Sequence, residues 1–336
     1  MLLEHLLGHG LLKPLFSTLR SRHRNRVLKR LKPVRPTEVS AVERRANLDA
    51  KTFKNEFFRY SQPVIFSGAA ANWNCVQKWN FDYLSLAAGD NDLLIVNSQG
   101  LTTREQRTDY QFLSLRELVK NIRGGGDQYL RFSPLLHENP ALVQDLDMTW
   151  LQNMRGGKTF GNTYYMFIGG TGHKTLLHAD QPCNLFVQIY GEKKWTLFYP
   201  QDSICLYPEA TNTAYVKSPV DIEKPDYEAY PLMKYARRLE AHLKPGDIMY
   251  IPPHVWHQVE NLTDTIAVGY RYSSLAAALS SSPSFSLLRV LSTNPPVWKT
   301  RKYGKTDTNL IWAHANGKID AVMTEREQRR QKAAHK

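Results

Sequence analysis

His178 and Asp180, in the triplet His-Ala-Asp, and the distant His257, in Pro245-Gly-Asp-Ile-Met-Tyr-Ile-Pro-Pro-His-Val-Trp-His257, are the residues whose types and spacing can do chemistry. Side chains alternate faces along a strand, so His178 and Asp180 project to one side while Ala179 points away. A third ligand from a separate strand completes two imidazoles and one carboxylate around a metal. That set leaves about three of six octahedral positions free, which suits a non-haem Fe(II) centre that activates oxygen. The chain therefore reads as an oxygen-activating enzyme. The ordinary alternative has Asp180 capping a turn and His257 filling a core. It does not explain why two remote segments agree in residue type and order.

Other candidates near these segments are weaker. His173 follows the turn Gly169-Gly-Thr-Gly172, and His254 lies one turn before His257. Both are expected beside the site or at the surface. The glycine turn lacks the spacing of a phosphate loop and leads into a strand. Cys183 lies close to Asp180 but reads as a small buried hydrophobe. No serine or cysteine nucleophile has a recognisable basic partner.

The elements that must position these residues are mostly strands. Tyr164–Ile168, Asn184–Tyr190, Lys194–Phe198, Asp247–Ile251 and Thr265–Tyr272 are β-like runs separated by Gly, Pro and polar turns. Upstream, Pro63–Gly68 and Leu93–Val96 read as strands. Asp49–Tyr60 and Leu113–Ile122 read as helices, the latter closed by Gly124-Gly-Gly126. Trp73, Trp79, Tyr83 and Leu84 look like a packed helical surface. Many short strands around one enclosed site predict a mainly β fold with flanking helices, its core a double-stranded β-helix or jelly-roll. Residues 208–242 read as an insertion between strands, with Lys234–His242 helical.

The 336 residues carry a formal charge of +13, concentrated at the ends. Residues 1–35 hold nine Lys/Arg against one acid (+8), residues 289–336 eleven against four (+7), leaving −2 for the part that carries the chemistry. A nucleic-acid substrate therefore does not follow from the pI. Leu11–Leu31 reads as a basic helix with Leu12, Leu15, Phe16 and Leu19 apolar, broken by Lys32-Pro-Val-Arg-Pro36. It is expected to lie solvated against the barrel, and the basic ends could also meet an acidic partner, RNA or a membrane surface. The organisation reads as a basic helix and linker (1–36), a catalytic domain (37–280, core barrel about 125–275) and a basic extension (281–336). No apolar run reaches the roughly 18 residues of a membrane span. The start is apolar before it is basic, the reverse of a secretory signal. Three scattered cysteines imply a reducing compartment, so a cytoplasmic location is expected.

Around these motifs, Asn184-Leu-Phe-Val-Gln-Ile-Tyr-Gly-Glu-Lys-Lys-Trp195 forms strand, glycine turn and strand. With it, the chain from about Val39 to Tyr272 resembles the JmjC and cupin-like 2-oxoglutarate oxygenases, notably the branch of the asparaginyl hydroxylase factor-inhibiting HIF. The resemblance is strongest over 175–195 and 244–259. It implies His178, Asp180 and His257 as iron ligands. Lys193 would take the distal carboxylate of 2-oxoglutarate, with Lys194 the alternative, since strand parity lets only one point inward. Thr175 and Tyr129 would share that carboxylate, and Asn184 would lie near the metal-bound end. Where the hydroxylase branch tends to carry an amide on the last strand, this chain has Gly269 or Tyr270, which puts the substrate in question. The implied cofactors are Fe(II), 2-oxoglutarate and O2. The implied reaction is hydroxylation of a protein or peptide side chain, with 2-oxoglutarate going to succinate and CO2. Demethylation of methyl-lysine, an oxygenase acting on a small metabolite or RNA base, and a metal-binding cupin without oxygenase activity are the competing readings. A homodimer stays open.

Overall fold

The computed structural model describes residues 13–36, 38–97, 110–209, 216–291, 310, 313 and 317–334. Fifteen strands occur among them: β1 (Ser40–Ala41), β2 (Glu43–Arg45), β3 (Val64–Phe66), β4 (Asp92–Asn97), β5 (Tyr110–Ser114), β6 (Gln128–Ser133), β7 (Phe160–Gly169), β8 (Lys174–Ala179), β9 (Cys183–Tyr190), β10 (Lys193–Phe198), β11 (Val216–Lys217), β12 (Arg238–Leu243), β13 (Ile248–Ile251), β14 (Trp256–Asn261) and β15 (Thr265–Ser273). They form a minor sheet in the order β1-β12-β10-β14-β8-β11. The major sheet runs β2-β3-β13-β9-β15-β7-β6-β4-β5. The core is the jelly-roll expected from the strand pattern.

Both faces of the major sheet are buried, which is why its strands read as continuous apolar runs. Leu185, Val187, Ile189, Ile248, Tyr250, Val268 and Tyr270 face outward onto a helical layer. The alternate residues Phe167, Phe186, Met249 and Ala267 face the barrel interior, meeting Trp195, Leu197 and Val259 of the minor sheet. The outer face of the minor sheet, including Leu177, Phe198 and Trp256, packs beneath residues 204–207, residues 220–236 and the helix α1 (Lys13–Leu31).

Three expectations change. Residues 234–242 are not helical: Pro231–Tyr235 is a short 3-10 turn and Arg238 onward is β12, paired antiparallel with β10. Leu239, Ala241 and Leu243 are buried while the residues between them are not, so the relevant period is two and the minor sheet takes the segment up between β1 and β10. On α1 the packed residues are Val27, Leu28 and Leu31, with Arg24 4.4 Å over the Tyr207 ring, whereas Leu15 and Leu19 are exposed. Leu11 and Leu12 lie outside the described residues. The helix predicted from Leu113 begins at Leu115, because Ser114 ends β5 and closes a capping box with Glu117.

Part of the basic C-terminal segment is used internally. In the helix Ile319–Ala334, Arg329 bonds Asp92 at 2.7 Å, and Glu325 accepts the Phe112 backbone N–H. The three cysteines are buried and free, and Cys183 lies in the outer core rather than facing the metal ligands. Among the described residues no helix is long and apolar enough to cross a membrane.

Candidate metal centre and cosubstrate pocket

β8 and β14 lie side by side in the minor sheet with His178 directly opposite His257. Antiparallel neighbours in register project to the same face, so the two imidazoles meet inside the barrel, ring centroids 4.2 Å apart. Asp180 follows at the end of β8. Its backbone carbonyl is held by the His254 N–H at 2.7 Å, which ties the corner before β14 to the end of β8. One donor atom from each of His178, Asp180 and His257 lies within 4.8 Å of the others, the only such three-residue grouping among the described residues.

The imidazole orientations are set by the backbone. His178 Nδ1 lies 2.7 Å from the Leu176 carbonyl and His257 Nδ1 lies 2.9 Å from that of Val255. A carbonyl can only accept, so each Nδ1 carries the proton and each Nε2 lone pair is left for a metal. Burial lowers the pKa of both rings, and the neighbouring His257 lowers that of His178 further, so both are neutral. Burial alone would raise the Asp180 carboxyl, but the Arg271 guanidinium against it holds it below the usual value. Two neutral nitrogen donors and one ionised carboxylate, convergent and enclosed, fit a ferrous ion.

On β10 the odd residues Lys193, Trp195 and Leu197 point inward. Lys193 is wholly buried, whereas Lys194 is 38% exposed and pairs with Glu240 on the outside. Parity therefore separates the two lysines. Lys193 Nζ contacts Asn261 Oδ1 and lies 3.4 Å from the Tyr129 hydroxyl, both neutral partners. Desolvation pushes its pKa down to about 7. A buried ammonium facing neutral groups beside a metal site suits an anionic ligand such as a carboxylate.

Thr175 reaches the same pocket through an irregularity. His178 sits opposite His257 and Thr175 opposite Val259, so three steps on β8 match two on β14. Residues three apart would normally face opposite ways. The bulge turns both inward. Thr175 is hydrogen-bonded to the Tyr129 phenol, which burial pushes above its usual pKa while Arg131 and Thr175 oppose the rise. Asn184 faces inward from β9, and its Oδ1 is buried with no hydrogen-bond partner. Of the two last-strand candidates, Gly269 points inward and Tyr270 into the outer core. A Cβ at Gly269 would stand 3.1 Å from that Asn184 oxygen.

His173 and His254 are not brought to the metal ligands. His173 Nδ1 accepts the Gly170 N–H and its Nε2 lies 3.0 Å from the Gly126 carbonyl. His254 Nε2 lies 3.2 Å from Ser286. Three polar residues of the interior escaped the motif reading: Arg131, Asn261 and Arg271. Asn261 ends the strand that carries His257, and Arg131 stands two residues beyond Tyr129. Arg271 stands two beyond Gly269, directly opposite Asn184. Strand parity from the candidate site residues was the available signal.

A model of the cupin-like domain matches residues 50–277. The chain is 28% identical over 256 residues to lysine-specific demethylase JMJ30 of Arabidopsis thaliana, covering 74% of this chain and 58% of that one. It is 24% identical over 224 residues to lysine-specific demethylase 8 of Xenopus tropicalis (66% and 50%), and 29% identical over 227 residues to human HSPB1-associated protein 1 (60% and 45%). The chain thus spans about half the length of the curated relatives it matches.

Proposed function

The chain belongs to the cupin-like domain family, and on that premise we propose that it is an Fe(II)- and 2-oxoglutarate-dependent oxygenase that hydroxylates a protein or peptide side chain. The observation that carries the reading is the convergence of His178, Asp180 and His257 in one barrel with a buried lysine facing neutral partners. When bound, iron with 2-oxoglutarate and O2 supplies the oxidation: one oxygen atom enters a substrate C–H bond, the other enters succinate, and CO2 leaves.

The chain's own residues supply position and environment. His178, Asp180 and His257 hold the metal from one side and leave the rest of its shell open. Lys193 binds the distal carboxylate of 2-oxoglutarate, with the Thr175 and Tyr129 hydroxyls beside it. Asn184 offers its unpaired amide oxygen and its N–H donors near the metal end, where Gly269 leaves room. The aromatic walls Phe167, Phe186 and Trp195 keep water from the interior. In this reading residues 37–280 are the catalytic domain, flanked by the basic segments 1–36 and 281–336.

Demethylation is the second reading, because two relatives are named as lysine-specific demethylases. Both outcomes are read in one assay. The protein is loaded anaerobically with Fe(II) and 2-oxoglutarate, exposed to air with peptide pools, and followed by succinate release and peptide mass. Gain of one oxygen by an intact peptide is the expected result. Loss of a methyl group would redirect the reading to demethylation, and failure to bind 2-oxoglutarate would overturn it.

A further inference from the structure

The helix α1 has a docked side and a bare one. Arg24, Val27, Leu28 and Leu31 turn toward Tyr207 and the core outside the minor sheet. Leu15, Leu19, Arg22, Arg26 and Arg30, spaced four, three, four and four apart, form a stripe on the other side, and all five are exposed. At 1.5 Å per residue the stripe runs about 22 Å along the helix. Leu15 and Leu19 are 54% and 48% exposed. Among the described residues, the side chains of Arg22, Arg26 and Arg30 make no ion pair or hydrogen bond.

No acid occurs from His5 to Thr37, so nothing in the same stretch of chain offsets these cations. Like charges four residues apart on a helix repel, so the pairs Arg22–Arg26 and Arg26–Arg30 weaken the helix they sit on. An opposing anionic surface would relieve that repulsion. The order of residues along the stripe selects the surface. The two leucines lie at one end and the three arginines at the other, and residues 1–12 add six more leucines to the sequence before the helix. A nucleic acid gains nothing from exposed leucines. A bilayer takes leucines into the acyl boundary while arginines stay among the headgroups.

We propose that this stripe docks the protein on a bilayer containing anionic lipid. Leu15 and Leu19 enter the interface, and Arg22, Arg26 and Arg30 meet lipid phosphates. The helix lies outside the minor sheet, whose opposite face carries His178 and His257, so docking and the metal pocket are separate. The surface stands whether or not the oxygenase reading does.

The full chain is sedimented with vesicles of phosphatidylcholine, either alone or with about one-third phosphatidylglycerol, over a range of salt. Binding to the anionic vesicles should be about a hundredfold tighter than to phosphatidylcholine alone and should weaken as salt rises. At about fivefold per cation, R22Q/R26Q/R30Q should lose about a hundredfold on the anionic vesicles. L15S/L19S should lose about tenfold and keep the salt dependence. K51Q/K54Q/K120Q, which removes three exposed charges elsewhere, should bind as the wild type does. Melting curves check that every variant folds. Equal binding to the two kinds of vesicle overturns the proposal, as does an equally large loss in K51Q/K54Q/K120Q, which would assign the effect to net charge. Mixed-sequence RNA bound more tightly than the anionic vesicles at the same salt, with L15S/L19S without effect, would assign the arginines to nucleic acid and overturn it as well.

Discussion

The minor sheet supplies His178, His257, Lys193 and Thr175, while the inner face of the major sheet and β6 supply Tyr129, Arg131, Asn184, Gly269 and Arg271. The first set comes from three adjacent strands, β10, β14 and β8, whose registers lock it together. The second is gathered from strands far apart in sequence and differs in kind: a phenol, two guanidinium groups, an unpaired amide and a glycine. The minor sheet carries both candidate imidazole ligands and the candidate carboxylate-binding lysine. The major sheet adds the Tyr129 phenol and the Asn184 amide to that pocket and brings the two guanidinium groups beside it. Asp180 joins the two, since it follows β8 and is gripped by Arg271 of β15.

Substitutions should separate these roles, with the largest effects on the minor-sheet side. Asp180→Ala removes a proposed ligand and strands Arg271, so metal retention should vanish and stability fall by about 3–5 kcal/mol. Metal analysis and thermal melting check both. A protein that kept its metal would break the assignment of this sheet. Lys193→Met should weaken N-oxalylglycine binding by about a hundredfold or more, read by calorimetry.

The same variant tests the charge state. With a pKa of about 7 in the folded chain, Lys193 is mostly neutral at pH 8, and a bound carboxylate draws it back to the ammonium form. Binding at pH 8 should therefore take up a proton, seen as a dependence of the measured heat on buffer ionisation, and Lys193→Met should abolish it. For stability the sign is opposite to that of a paired lysine. The cost of burying the charge is full below about pH 7 and is relieved as pH rises toward the unfolded value of about 10.4. Denaturant midpoints of Lys193→Met should lack that rise.

Arg271→Gln is intermediate. By loosening Asp180 it should weaken Co(II) affinity by about tenfold, as loss of a partner to a ligand commonly does, with the Co(II) absorption bands shifted. No shift would confine Arg271 to the substrate side. Gly269→Ala should cost about 1 kcal/mol and a few-fold in N-oxalylglycine affinity, because the new methyl meets Asn184 and Phe167. Lys194→Ala, outside the barrel, should change stability by less than about 0.5 kcal/mol and leave N-oxalylglycine affinity alone.

Much of the barrel was legible because burial on both faces leaves apolar runs between turn residues, as at Ile248–Ile251 and Thr265–Ser273. The segment 234–242 was misread because its period of two, Leu239, Ala241 and Leu243, is short and set among polar and charged residues. On α1, the apolar residues near the N-terminus suggested the wrong packed face; Tyr207 and its neighbours meet Arg24, Val27 and Leu28 instead. The buried arginines belong to no local motif, so only the fold could disclose them.

The amino-acid sequence alone settled which residue types can bind a metal, that two distant segments had to supply them, and that the elements carrying them are strands. These follow from local chemistry and the alternation of side chains along a strand. Which lysine turns inward, how Thr175 shares a face with His178 across an odd spacing, and that Arg271 closes on Asp180 were decided by the tertiary structure. Each depends on register between strands, and register is a property of pairs of segments that neither segment contains.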